Sequence, residues 1–235
     1  MRLPKAVLFD LDGTLLESEH LWLQAEQLTM AQWDISWLPS DQQKCLGGPL
    51  ERVVDYMHQL TVSANYAPQP TSSEISNVLI SNIVHLFSTT EIEWRPGARE
   101  IVLETHSLGI PTAIVTASWR VLLDAAIGTM SAHVGNFTIS VAGDEVVRSK
   151  PDPYPYLQAS RLLNVEIGSC LAVEDSPTGT ISAVSAGAPT VAIEHLAPIS
   201  VPGAVVMNSL SGRSLEELWL LARNVECGSK RVFNK

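Results

Sequence analysis

Ala6-Val7-Leu8-Phe9-Asp10-Leu11-Asp12-Gly13-Thr14 is an apolar run of strand formers closed by Asp-Leu-Asp-Gly, and it reads as a buried parallel strand ending in a loop. Side chains two apart in an extended segment point the same way, and Gly13 lets the backbone turn sharply beyond the two carboxylates. Two like charges held this close need a cation or a proton between them. An isolated Asp-x-Asp is more often a solvated loop or an Asx-turn, so the rest of the chain has to decide.

The segments that follow read as helical. Ser18 is placed to cap a helix through about Trp33, and Pro49 suits the first turn of another carrying Leu50, Val53, Val54, Met57 and Leu60 at helical spacing. Ile75, Val78, Leu79, Ile83, Leu86 and Phe87 repeat the pattern, and no strand is expected between 18 and 94. Pro96-Gly97 then breaks the chain, and strand-helix alternation begins. Strands are expected at Ile110–Val115, Phe137–Val141, Cys170–Val173 and Thr190–Ile193. Helices are expected at Ala98–Leu108, Trp119–Ile127, Tyr154–Leu163 and Pro177–Ala186. Such alternation predicts an α/β fold, a doubly wound parallel sheet made of residues 1–17 and 95–235 and interrupted by an all-helical insertion, 18–94. The last eleven residues read as a solvated tail. In open parallel sheets ligands bind at the carboxyl edge, which the insertion is positioned to cover.

Composition narrows the function. The chain has 235 residues, 46% of them hydrophobic and 17% charged, and a formal charge of −10. That balance disfavours nucleic acid, which needs a basic face, and anionic membrane surfaces. No stretch approaches the ~18 apolar residues of a membrane span, and the N-terminal apolar run is too short for a signal peptide. Cys45, Cys170 and Cys227 are odd in number and lack C-x-x-C spacing, which reads as reduced thiols in a cytoplasmic protein, taken to be a monomer. The histidines show no paired spacing for zinc.

The strand ends carry the remaining signal. Thr116-Ala117-Ser118 offers a hydroxyl and free N–H groups entering a helix, as an anion site or as an ordinary cap. Lys150, the one lysine between Lys44 and Lys230, is held among prolines and is either a solvated side chain or a point charge for a phosphoryl group. Glu174-Asp175-Ser176-Pro177 is a second acidic pair, explicable as a helix cap or, with Asp10 and Asp12, as a Mg²⁺ site. An acidic pair, a hydroxyl, a lysine and another acidic pair at successive strand ends make a site for Mg²⁺-assisted phosphoryl transfer.

These four motifs, Phe9-Asp-Leu-Asp-Gly-Thr-Leu-Leu, Val115-Thr-Ala-Ser, Lys150-Pro-Asp-Pro and Glu174-Asp-Ser-Pro-Thr-Gly, resemble those of the haloacid dehalogenase superfamily. The resemblance is to the beta-phosphoglucomutase-like branch, with a helical cap inserted after the first motif, and it spans the chain to about Ala222. It implies a Rossmann-like core and a Mg²⁺-dependent phosphatase acting on a small phosphorylated metabolite, for instance a sugar phosphate. Asp10 would be the nucleophile that forms an aspartyl-phosphate, and Asp12 the general acid and base. Thr116, the Ala117 N–H and Lys150 would hold the phosphoryl oxygens. Asp10, the Asp12 carbonyl and Asp175 would bind Mg²⁺, with Glu174 acting through water or behind them. Dehalogenases of the family lack the second Asp, so Asp12 argues against cleavage of a carbon–halogen bond.

Substrate choice is expected in the insertion, where Lys44, Arg52 and Trp22 are the candidate contacts. Trp22, Trp33 and Trp37 read more readily as core, the alternative being a ring that faces the cleft and stacks on a sugar or base, and Trp119 carries the same two readings. The Gly47-Gly-Pro-Leu-Glu-Arg stretch does not reproduce the mutase arginine, and Val53 to Trp94 holds no Lys or Arg. A phosphatase is therefore favoured over a sugar phosphomutase, and both over a phospho-acceptor signalling module, which needs neither the insertion nor a second acid. Residues 18–94 carry 9 Asp plus Glu against 2 Lys plus Arg, so an acidic lid over an anionic site should favour a small monophosphate.

Overall fold

A computed structural model describes residues 3–45, 50–91, 93–225 and 232–233. In chain order the elements are β1 (Ala6–Phe9), α1 (Glu19–Ala31), α2 (Pro39–Cys45), α3 (Leu50–Ser63), α4 (Ser72–Thr89), α5 (Ala98–Ser107), β2 (Thr112–Val115) and α6 (Arg120–Val134). There follow β3 (Ile139–Val141), α7 (Tyr154–Leu162), β4 (Cys170–Glu174), α8 (Pro177–Ala186), β5 (Thr190–Ile193), β6 (Ala204–Met207), α9 (Leu215–Arg223) and a two-residue β7 (Val232–Phe233). The strands form one parallel sheet in the order β3-β2-β1-β4-β5-β6-β7. This is the doubly wound α/β architecture, and β1, β2, β4 and β5 are buried along their whole length, as apolar strands covered on both faces must be.

Strand order places the first motif centrally. β1 pairs Phe9 with Ile114 of β2 on one side and with Val173 of β4 on the other, so three strand ends emerge side by side. Asp10 N–H continues the ladder to the Val173 carbonyl at 3.0 Å.

Four helices lie between β1 and α5. α4 packs on α1 and α3 and also on α6, which ties the helical segment to the sheet's covering layer. Its first turn is fixed by a capping box, in which the Thr71 hydroxyl accepts from Glu74 N–H and the Glu74 carboxylate from Thr71 N–H. The segment is entered and left through a short antiparallel ribbon: Glu17 N–H donates to the Glu93 carbonyl and Arg95 N–H to the Leu15 carbonyl, both at 2.8 Å, and the Glu17 and Arg95 side chains pair across it.

Several element bounds differ from expectation. β2 begins at Thr112 because Pro111 has no N–H to give the ladder, although its carbonyl accepts from Val7 N–H at 3.0 Å. α6 runs on to Val134, since Leu122, Leu123, Ala126, Met130 and Val134 keep a buried helical stripe past Gly128. β6 and α9 extend the alternation beyond Ile193; α9 is capped by Ser214 and buries Leu215, Leu218 and Trp219. Part of the expected tail, Val232–Phe233, pairs with β6. Gly47, Gly48 and Pro49, from the stretch compared with the mutases, and Cys227 lie outside the described residues. Among the described residues no helix is long and apolar enough to cross a membrane.

Candidate active site

The ends of β2, β1 and β4 and the loop after β3 meet over one cavity of about 300 Å³. Asp10, Asp12, Thr116, Ala117, Lys150 and Asp175 line its sheet side. Lys150 Nζ is 2.6 Å from Asp10 Oδ1 and 2.6 Å from Glu174 Oε1, and all three side chains are buried. Tyr156 Oη donates to the same Glu174 oxygen at 2.7 Å. Burial opposes the Lys150 ammonium, but Asp10 and Glu174 outweigh it and hold its pKa above the ordinary lysine value.

One ammonium does not neutralise this site. Oxygens of Asp10, Glu174 and Asp175 lie within 4.8 Å of one another. Burial, reinforced by Glu174, pushes the Asp10 carboxyl up to about 7, and burial with Asp10 and Glu174 likewise raises Asp175. Three converging buried carboxyls facing a single lysine fit a hard divalent cation, which oxygen ligands satisfy. Gly13 belongs to this design. With φ of +79° it turns the chain, and a Cβ there would lie 2.1 Å from Asp175 Oδ2. Ser176 caps α8 by accepting from Gly179 N–H at 3.0 Å, which leaves Asp175 to receive the Thr14 hydroxyl at 3.1 Å.

Asp12 has a different environment. Ser18 Oγ donates to its Oδ1 at 2.6 Å, Trp22 Nε1 to the same oxygen at 3.3 Å, and Ser118 Oγ to its Oδ2 at 2.7 Å. Ser18 therefore does not cap α1 with its side chain, and its hydroxyl serves Asp12 instead. Ser118 N–H donates to Thr116 Oγ1 at 3.0 Å, so the second motif is folded as a tight turn beneath the pocket. The two aspartates thus differ: one faces an ammonium and further carboxylates, the other is oriented by three neutral donors.

Of the candidates in the helical segment, Trp22 reaches the cavity and Lys44 and Arg52 do not. Lys44 is held by Asp41 at 3.1 Å and by Tyr56 Oη at 2.6 Å, with its side chain more than half exposed, in a separate groove shared with Arg52 and Gln59. Arg52 donates to the Lys44 carbonyl. The sequence reading missed the residues that do form the helical wall: Glu19 and Glu26 of α1, Gln42 of α2, and Leu50 and Val53 of α3. Their i, i+3, i+7 spacing in α1 with Trp22 was the available signal.

The family described as haloacid dehalogenase-like hydrolase matches residues 7–193. Protein CbbY of Rhodobacter capsulatus is 32% identical over 193 residues, covering 78% of this chain and 82% of the relative. Hexitol phosphatase B of Escherichia coli is 31% identical over 187 residues, covering 77% and 79%. Crystalline CbbY from Rhodobacter sphaeroides in complex with phosphate superposes with a TM-score of 0.81 at 26% identity, covering 92% of this chain and 99% of that one. A D10N mutant of the same protein in complex with xylulose-(1,5)bisphosphate gives 0.78 at 25% identity over 92% and 99%.

Proposed function

The chain belongs to the haloacid dehalogenase-like hydrolase family, and on that premise we propose that it is a Mg²⁺-dependent phosphatase of sugar-like phosphomonoesters that works through an aspartyl-phosphate on Asp10. The observation that carries the reading is the unlike treatment of two neighbouring carboxyls: Asp10 beside Lys150, and Asp12 held on its flank by Ser18, Trp22 and Ser118.

Asp10 attacks phosphorus, the bond from phosphorus to the alcohol oxygen breaks, and Asp12 delivers its proton to that oxygen. Water then attacks the acyl phosphate, Asp12 takes the water's proton, and inorganic phosphate leaves with Asp10 regenerated. Thr116, the Ala117 N–H and Lys150 hold the phosphoryl oxygens during both steps, while Glu174 and Tyr156 fix the lysine. Asp10, Asp175 and the Asp12 carbonyl would hold Mg²⁺, which supplies positive charge against the transferring phosphoryl group. Residues 18–94 act as the cap over the site, and the enzyme is a monomer in the cytoplasm, a compartment with which the free buried thiols of Cys45 and Cys170 agree.

A phosphomutase would need a cation on the cap wall for a second phosphate, and Lys44 and Arg52 lie in another groove. A signalling module would not need Asp12 held by three donors. With Mg²⁺, the chain should release inorganic phosphate from some member of a panel of sugar and polyol phosphates, and Asp10→Asn should abolish release while leaving the thermal melt cooperative. Turnover retained by Asp10→Asn would overturn the mechanism.

A further inference from the structure

The wall of the cavity opposite the aspartates has an unusual charge. Among the described residues that line the cavity, Lys150 is the one cation, and it is already engaged by Asp10 and Glu174. The helical wall offers instead two carboxyls, Glu19 and Glu26, with the amide of Gln42 and the apolar side chains of Cys45, Leu50 and Val53.

Glu26 is the informative member. It is 3% exposed in the middle of α1, a position where an apolar residue would cost nothing, and a carboxyl there requires polar partners. Trp37 Nε1 donates to its Oε2 at 2.9 Å, and among the described residues no donor reaches Oε1. Burial pushes this carboxyl up to about 8, so near neutrality it is able both to donate a hydrogen bond and to accept one. The Gln42 Nε2 donates to the Glu19 carbonyl at 3.1 Å, which leaves its amide oxygen as an acceptor. A second phosphate at this wall would be stripped of water with no ammonium or guanidinium facing it and two carboxyls beside it. A hydroxyl group satisfies Glu26 and Gln42 at no such cost.

Resting on the phosphatase reading above, we infer that Glu26 is a specificity-determining residue whose carboxyl hydrogen-bonds a hydroxyl of the leaving alcohol, so that the substrates are monophosphates of uncharged polyols and bisphosphates are rejected. Lys44 and Arg52, which lie in a separate groove, play no part in recognition.

The test compares kcat/KM for a hexitol 6-phosphate, a ketose bisphosphate and 4-nitrophenyl phosphate, which has no aliphatic hydroxyl. The wild-type chain should prefer the hexitol phosphate to the bisphosphate by at least about tenfold, the factor that one lost hydrogen bond of about 1.4 kcal/mol represents. In Glu26→Leu the ratio of hexitol phosphate to 4-nitrophenyl phosphate should fall by about tenfold or more, with isosteric Glu26→Gln restoring part of it. Glu26→Lys should move preference toward the bisphosphate. A bisphosphate preferred by the wild-type chain, or a ratio unmoved in both Glu26→Leu and Glu26→Gln, overturns the assignment to Glu26. Phosphate released from none of the three compounds, 4-nitrophenyl phosphate included, overturns the phosphatase reading itself and this assignment with it.

Discussion

Tyr156 Oη sits 2.7 Å from Glu174 Oε1, on the oxygen that Lys150 also touches, with the ammonium 5.3 Å from the Tyr156 ring centroid. The phenol fixes a carboxylate that fixes the lysine. Tyr156→Phe keeps the ring and deletes only the hydroxyl. The loss of a buried hydrogen bond to a charged group should cost about 2 kcal/mol, read as a fall of several degrees in Tm, together with a lower kcat. An unchanged melt and unchanged kcat would show that Lys150 needs no such support.

Glu26 gives the chain a pH dependence whose sign follows from its raised carboxyl. The group holds its proton up to about 8 in the folded chain and releases it near the ordinary 4.5 when unfolded. Between those values the folded state binds more protons, so stability falls as pH rises through the window and levels off above it. Glu26→Gln removes this contribution, on the order of a few kcal/mol, and should melt several degrees higher relative to wild type at pH 8.5 than at pH 4.5. Parallel melting curves across that range would contradict it.

The cluster of Asp10, Glu174 and Asp175 predicts stabilisation by a divalent cation. At 100 times its dissociation constant, Mg²⁺ should add about 2.7 kcal/mol, visible as a rise in Tm that a chelator reverses. Asp175→Asn should abolish most of that rise. The variant should also melt higher than wild type when no divalent cation is added, because a buried carboxyl pushed above its ordinary range has been replaced by a neutral amide.

Gly179 is required by space, not by backbone conformation: a Cβ there would lie 1.9 Å from Glu174 Oε1. That oxygen is pinned by Lys150 and Tyr156, so it has little room to retreat. Gly179→Ala should cost about 1–3 kcal/mol and depress phosphate release. A neutral result in both measurements would mean that Glu174 swings aside freely.

Much of the sheet side of the site was legible because a parallel strand announces itself locally. Ala6–Phe9 and Cys170–Glu174 are continuous apolar runs that stop at acids, and the order of motifs then follows chain order. What escaped depends on distance along the chain. Ser18 looked like a helix cap because local spacing cannot show that its hydroxyl turns to Asp12, and Ser118 reaches the same carboxylate from 106 positions away. Lys44 and Arg52 attracted attention as rare cations, but Asp41, Tyr56 and a backbone carbonyl hold them in a different groove. Glu26 was hidden for the opposite reason, since a glutamate on a helix reads as solvated until the packing of Trp37 against it is known. The ends of β2 and α6 shifted because Pro111 and Gly128 act on pairing and packing in ways that composition alone leaves open.

The ribbon that joins Leu15 to Arg95 and Glu17 to Glu93 has a consequence for inheritance and for engineering. It brings the two severable ends of the helical segment together at adjacent, hydrogen-bonded positions, so the length and arrangement of what lies between them is nearly invisible to the strands. Recombination at these two seams would exchange a whole recognition surface and leave the phosphate chemistry in register where the incoming segment keeps Ser18 and Trp22, which hold Asp12, and the face of α4 that packs on α6. A library cut at Glu17 and Glu93 is therefore a shorter route to new leaving alcohols than residue-by-residue change inside the cavity.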